Sequence, residues 1–186
     1  MSKRRGWIIA VAVLLSLCCI SSIVIGVIAS RSIGAVQGAS VACTGQVVAG
    51  APAYRAHASN VVAAFEHNSL GNWTYFQAIL PTQWPHAENA SDASVVFCFE
   101  AEERESLGTC TYEDNSTLTR YRLKRRVRAV EASTARLIRE GTVIGDDPES
   151  CPDSLRHRGS RSVEREREAD EPDAEAMEKA FSDLFR

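Results

Sequence analysis

Apolar and polar positions alternate most regularly between Leu118 and Val130, LTRYRLKRRVRAV, where Tyr121, Leu123, Val127 and Ala129 fall on one face together with Arg125. Arg120, Arg122, Lys124, Arg126 and Arg128 fall on the other. A period of two predicts a half-buried β-strand. Val95–Phe99, VVFCF, is instead an unbroken β-prone run, the pattern of a strand buried on both faces. Residues 60–66, NVVAAFE, predict a short strand closed by the turn NSLGN. WTYFQAIL at 73–80 is apolar enough for the core and is stopped by Pro81. ARLIREGTVI at 135–144 predicts one more strand, entered by a turn at 132–134.

The charged stretch 102–105, EERE, and residues 113–117, EDNST, are expected to be turns. Near the C-terminus, Met177, Phe181, Leu184 and Phe185 recur at helical spacing, with Pro172 in the expected first turn and Asp173 and Glu175 at the positive end. The expected architecture is therefore α+β: an antiparallel meander over 53–152, a charged linker over 153–171 and a covering amphipathic helix over 172–186.

The longest apolar run lies at the N-terminus. From Trp7 to Ala29 the chain has 23 residues without a charge, and at ~1.5 Å per residue these span a ~30 Å hydrocarbon core. A transmembrane helix over 7–29 is predicted. Lys3, Arg4 and Arg5 precede it, which places residues 1–6 in the cytoplasm and the rest outside the cell membrane. A cleaved signal peptide is the rival, since Val27-Ile28-Ala29 offers small residues, but signal peptides carry apolar cores of only ~7–15 residues. Residues 30–52, rich in Gly, Ala, Ser and Val, read as a flexible tether ordered near Cys43.

That placement decides the cysteine chemistry. Cys18 and Cys19 lie within the span, leaving Cys43, Cys98, Cys110 and Cys151 outside. An even number in an exported chain predicts two disulfides. The spacing lacks CxxC and a nearby histidine, which is poor geometry for zinc, so no metal is expected. Four cysteines allow three pairings, all open from sequence. A hairpin centred on Arg104 would set Cys98 opposite Cys110 and leave Cys43 for Cys151.

Composition narrows the functional classes. All 24 acids lie beyond the span and outnumber the basic residues there, which argues against nucleic acid as a partner. Lys is nearly absent outside the membrane, where only Lys124 and Lys179 occur; this bias points to a GC-rich bacterial genome. The cations at 120, 122, 124, 126 and 128 form the most distinctive surface feature. They are candidate contacts for an anionic lipid headgroup, wall polymer or acidic partner, against the plainer expectation that acids on adjoining strands or solvent neutralise them. His57, His67, His86 and His157 are scattered, and no nucleophile elbow, metalloprotease, phosphate-loop or dinucleotide motif occurs. No catalytic residue and no cofactor are expected; an unrecognised hydrolase is the enzymatic alternative. Asn72, Asn89 and Asn115 stand in glycosylation-acceptor patterns, which in a bacterial host are chance matches.

From Leu80-Pro81 onward, the order of Trp84, the strand ending at Cys98, GTCTY at 108–112, the Arg-rich strand, EASTARLI at 131–138, Gly145, Pro148 and Cys151-Pro152 resembles a domain of uncharacterised single-pass membrane proteins of high-GC, actinobacterial-type bacteria. The resemblance covers about half the chain. It implies an anchored, extracytoplasmic, cysteine-containing domain and carries no functional residue. The expected function is a non-enzymatic binding or scaffolding domain at the cell envelope, held by a single membrane span, with an envelope protein or anionic polymer as possible partner.

Overall fold

A computed structural model describes residues 34–56, 58–154 and 164–185. The predicted span, His57, His157 and the middle of the predicted linker lie outside these residues, and among the described residues no helix is long and apolar enough to cross a membrane.

Among the described residues seven strands form one sheet: β1 (Val62–His67), β2 (Trp73–Tyr75), β3 (Val95–Phe99), β4 (Glu103–Thr111), β5 (Thr117–Glu131), β6 (Leu137–Ile144) and β7 (Glu164–Glu168). β5 is the spine. β3 pairs antiparallel with its far half, Val95 opposite Glu131 and Phe99 opposite Val127. β4 then continues along the near half, from Glu103 opposite Lys124 to Thr111 opposite Thr117. The Glu100 amide still bonds the Arg126 carbonyl between them. Residues 95–131 are thus one long hairpin whose turn lies at Glu113–Ser116, where Asn115 takes the left-handed conformation (φ 61°) that Asn tolerates.

The predicted turn at 102–105 is corrected by this geometry: the chain runs straight on, because charged residues sit comfortably on an open strand and nothing there forces a reversal. The cysteine pairing changes with it. Cys98 faces Arg128 and Cys110 faces Leu118, ten positions apart along β5 and so about 33 Å at ~3.3 Å per residue. They bond elsewhere: Cys43 to Cys98 with Cα atoms 5.5 Å apart, and Cys110 to Cys151 at 5.9 Å. All four cysteines beyond the predicted span are in disulfides, in a different pairing from the one the hairpin register suggested.

The other edge of β5 carries β6, antiparallel along Lys124–Val130, and β7, parallel along Thr117–Tyr121. These two approach one another end to end. The sheet is mixed rather than an antiparallel meander, since β1 also lies parallel to β3. The ERERE segment, expected as a solvated linker, is therefore β7: an edge strand needs only its backbone bonds from the sheet, so alternating charges do not bar it.

Apolar clusters occupy both sides of the sheet, which is why β3 is buried at every position. On one side Val62, Phe97, Phe99, Val127 and Val143 are covered by Trp84 and by Met177, Phe181 and Leu184 of the C-terminal helix (Ala174–Phe181) and the turn after it. The helix starts at Asp173, whose carboxylate accepts the Ala176 amide, with Pro172 one position before the cap instead of inside the first turn. Phe181 meets Phe97 edge-on at 5.3 Å, and Phe185 stacks on Trp84 at 4.2 Å.

On the other side Ala63, Phe65, Val96 and Cys98 are covered by Val36, Ala39, Ala42, Cys43 and Val48. The expected tether is therefore an ordered layer from residue 34 onward. Residues 34–37 make a helical turn that tightens into the 3-10 segment Gly38–Thr44. Small residues serve packing here: Ala39 and Ala42 are buried and let the segment lie close on the sheet.

Candidate functional site

The predicted basic face of β5 is where β4, β6 and the segment after β6 converge. Each neighbour supplies acids to it. Arg122 holds Glu105 at 2.7 Å and Asp147 at 3.0 Å, Lys124 stands 3.8 Å from Glu103, Arg126 3.6 Å from Glu140, and Arg128 3.2 Å from Glu100. Arg128 also donates to the Cys43 carbonyl at 3.2 Å, and Arg120 to the Leu107 carbonyl at 3.3 Å. The register makes these pairs, since Glu105 and Glu103 lie directly across from Arg122 and Lys124, and Glu140 is two positions from Thr142, Arg126's own partner, and so its diagonal neighbour on the same face. The Arg122 hydrogen bond holds the Glu105 carboxyl below the usual carboxylate range, and the same bond raises the Arg122 guanidinium. The structure brings all five predicted cations to one strip and places a carboxylate beside four of them. An external anion would have to displace those carboxylates.

Arg125 faces the other way, into the apolar side. Its side chain is only 11% exposed and lies 2.9 Å from Glu66, 3.5 Å from Glu102 and 3.9 Å from Glu171, with its guanidinium 5.3 Å from the Phe76 ring centroid. Those acids come from β1, the β3–β4 connection and the approach to the C-terminal helix, so one side chain ties three chain segments together. The alternation marked Arg125 as the one cation on the core face, but the identity of its partners needed the fold.

Glu131 is buried at the end of β5. It accepts the Thr134 hydroxyl at 2.7 Å and the Tyr54 amide at 3.1 Å, with Arg136 at 3.6 Å. The Thr134 hydrogen bond is the main reason its carboxyl is held below the ordinary range, although burial works against it. No sequence signal distinguished it from other strand-end acids.

Neither described histidine forms a catalytic arrangement. His67 packs against Trp73 with ring centroids 5.1 Å apart and the planes tilted by 60°. His86 has both ring nitrogens engaged, with the Gln77 amide nitrogen at 2.6 Å and the Pro81 carbonyl at 3.1 Å. An open groove of about 480 Å³ lies between the end of β6 and the start of the C-terminal helix, edged by Asp146, Glu171, Asp173, Glu175 and Lys179. Among the described residues no three His, Cys, Asp or Glu side chains converge to hold a metal ion. Asn72, Asn89 and Asn115 are all exposed, and the Asn89 amide bonds the Asp92 carboxylate within a turn.

Comparison with known proteins finds no matching family model, curated protein or solved structure.

Proposed function

We propose that the chain is a single-pass, membrane-anchored envelope protein whose extracytoplasmic domain binds or scaffolds a partner without catalysis. The observation that carries this is the pairing of every cysteine beyond the predicted span into two disulfides, Cys43–Cys98 and Cys110–Cys151. Thiols at such distances oxidise and stay oxidised outside the cytoplasm. The apolar run Trp7–Ala29 behind Lys3, Arg4 and Arg5 supplies both export and anchorage. A scaffolding role also fits the charges: ion-paired cations on β5 give a stiff, hydrated surface in place of an open anion site.

Cysteine accessibility in intact cells tests the proposal. An impermeant maleimide added to intact cells after reduction should label Cys151, the exposed member of the two pairs, without lysis, whereas addition without reduction should label none of the four. Labelling that appears only after lysis, with reduction as well as without it, would place the domain inside the cell and remove the proposal. Crosslinking in intact cells would then identify the partner.

A further inference from the structure

We propose that the β1–β2 hairpin rests on the same bilayer that the N-terminal segment crosses, with Leu70 at its tip entering the lipid interface. The inference rests on the anchor proposed above and gives the domain an orientation on it.

Charge is distributed very unevenly along the chain. Between residues 34 and 87 the only Asp, Glu, Lys or Arg residues are Arg55 and Glu66, and the 21 residues from His67 to Ala87 have none. β4, β5, β6 and β7, by contrast, are dense in ion pairs. Much of this stretch is core, but its exposed residues around the hairpin, 69–72, Thr74 and Gln77, are uncharged as well, which suits a surface that loses its water against lipid.

The same neutral segment lies closest to the predicted span. Only four residues, 30–33, separate Ala29 from Gly34, a reach of at most about 18 Å even fully extended. Gln37 then closes the outer edge of β2: its amide donates to the Trp73 carbonyl at 2.6 Å and accepts the Tyr75 amide at 3.3 Å, as a neighbouring strand would. The β2 edge is therefore held near the point where the chain would leave the bilayer.

The tip itself is rigid. Asn68 bonds the Asn72 carbonyl through its own amide and accepts the Leu70 and Asn72 amides on its side chain at 3.0 Å each, while Gly71 takes φ 81° and donates to the Asn68 carbonyl. This cage leaves Leu70 83% exposed, the most exposed large apolar residue among those described. Behind it Trp73 packs against His67 at a tilted angle, and an amphipathic aromatic ring of this kind favours the headgroup level. Because β1 runs parallel to β3, the acidic tip at Glu113–Asp114 points along the same direction as Leu70. The strands must then lie along the membrane, β2 edge down, which keeps that acidic tip out of the hydrocarbon.

The test uses the full chain reconstituted in phosphatidylcholine vesicles, with or without bromine on the acyl chains as a short-range quencher. Leu70→Trp adds one fluorophore at the tip, and Ile144→Trp adds one at an exposed site on the opposite edge of the sheet. After subtraction of the wild-type spectrum, the Leu70→Trp signal should be blue-shifted and lose most of its intensity in brominated vesicles, and the Ile144→Trp signal should not. If the Leu70→Trp signal matches that of water-exposed indole, or both variants quench equally, the docked tip is wrong. Alkaline carbonate extraction of the same vesicles separates the two proposals: release of the chain overturns the anchor, while retention with an unquenched tip overturns the docking alone.

Discussion

Replacing Arg125 by Met keeps the length of the apolar stem and removes the charge. In the folded protein this leaves Glu66, Glu102 and Glu171 facing one another without a counter-ion. Removing one partner of a fully buried pair costs about 3–5 kcal/mol, because the remaining charge is stranded. Here the three carboxylates are 31%, 26% and 60% exposed and water recovers part of their solvation, so we expect about 2–3 kcal/mol. For a chain of this size that corresponds to roughly 5–10 °C in Tm.

Arg126→Met is the matched control. It lies one residue along the same strand with its side chain 60% exposed and a single carboxylate at 3.6 Å, and should change stability by no more than about 0.5 kcal/mol. Thermal unfolding of the full chain in mild detergent, followed by circular dichroism, measures both. The cycle with Glu66→Gln should show coupling on the order of 1–2 kcal/mol for Arg125 and close to none for Arg126. Equal losses for the two arginines would refute the assignment of Arg125 as the tie between β1, the β3–β4 connection and the helix approach.

Gly145→Ala should destabilise by about 1–3 kcal/mol, because the added methyl meets the Asp170 carbonyl beyond the end of β7, and that oxygen and the Glu171 and Pro172 atoms beside it are all backbone that cannot swing aside; hydrogen exchange should rise across β7, and an unchanged protein would disprove that contact. The two disulfides close loops of 55 and 41 residues and are each worth about 4 kcal/mol in the chain-entropy model. Graded reduction followed by alkylation should open Cys110–Cys151 first, since Cys151 is exposed while Cys43 and Cys98 are both buried; the reverse order would contradict it. Glu131→Gln should cost about 1–3 kcal/mol at neutral pH through its hydrogen bonds. A carboxyl held below its unfolded range gives stability that is complete above that range and lost as pH falls through it. The gap between Glu131→Gln and wild type should therefore be full above about pH 5 and shrink as pH falls below the ordinary glutamate range towards the lowered folded value; a gap that stays constant throughout the acid titration would remove Glu131 from the acid response.

Sequence alone determined the local elements whose pattern is strong. The strict alternation from Leu118 to Val130 is the middle of β5, the apolar run VVFCF is the fully buried β3, and Met177 with Phe181 marks the C-terminal helix and its core face. In each case side-chain spacing decides which face is buried, whatever the rest of the chain does. The strip of cations on β5 was legible for the same reason, as was the lone Arg125 opposite them.

What a segment pairs with was decided by the tertiary structure. Residues 102–105 look like a turn because they are charged, yet an open strand accommodates charge equally well, and the reversal falls at Asn115 instead. That one displacement moves Cys110 away from Cys98 and re-pairs both disulfides. ERERE has no apolar side to betray β7, since a parallel edge strand is held by backbone bonds that every sequence offers. The Gly- and Ala-rich residues from 34 to 48 read as a tether because small side chains carry little periodicity, but their smallness lets the backbone approach the sheet and bury Cys43 against Cys98. Local chemistry fixes which face of a strand is wet; only the closed packing of distant segments fixes which strand lies beside it.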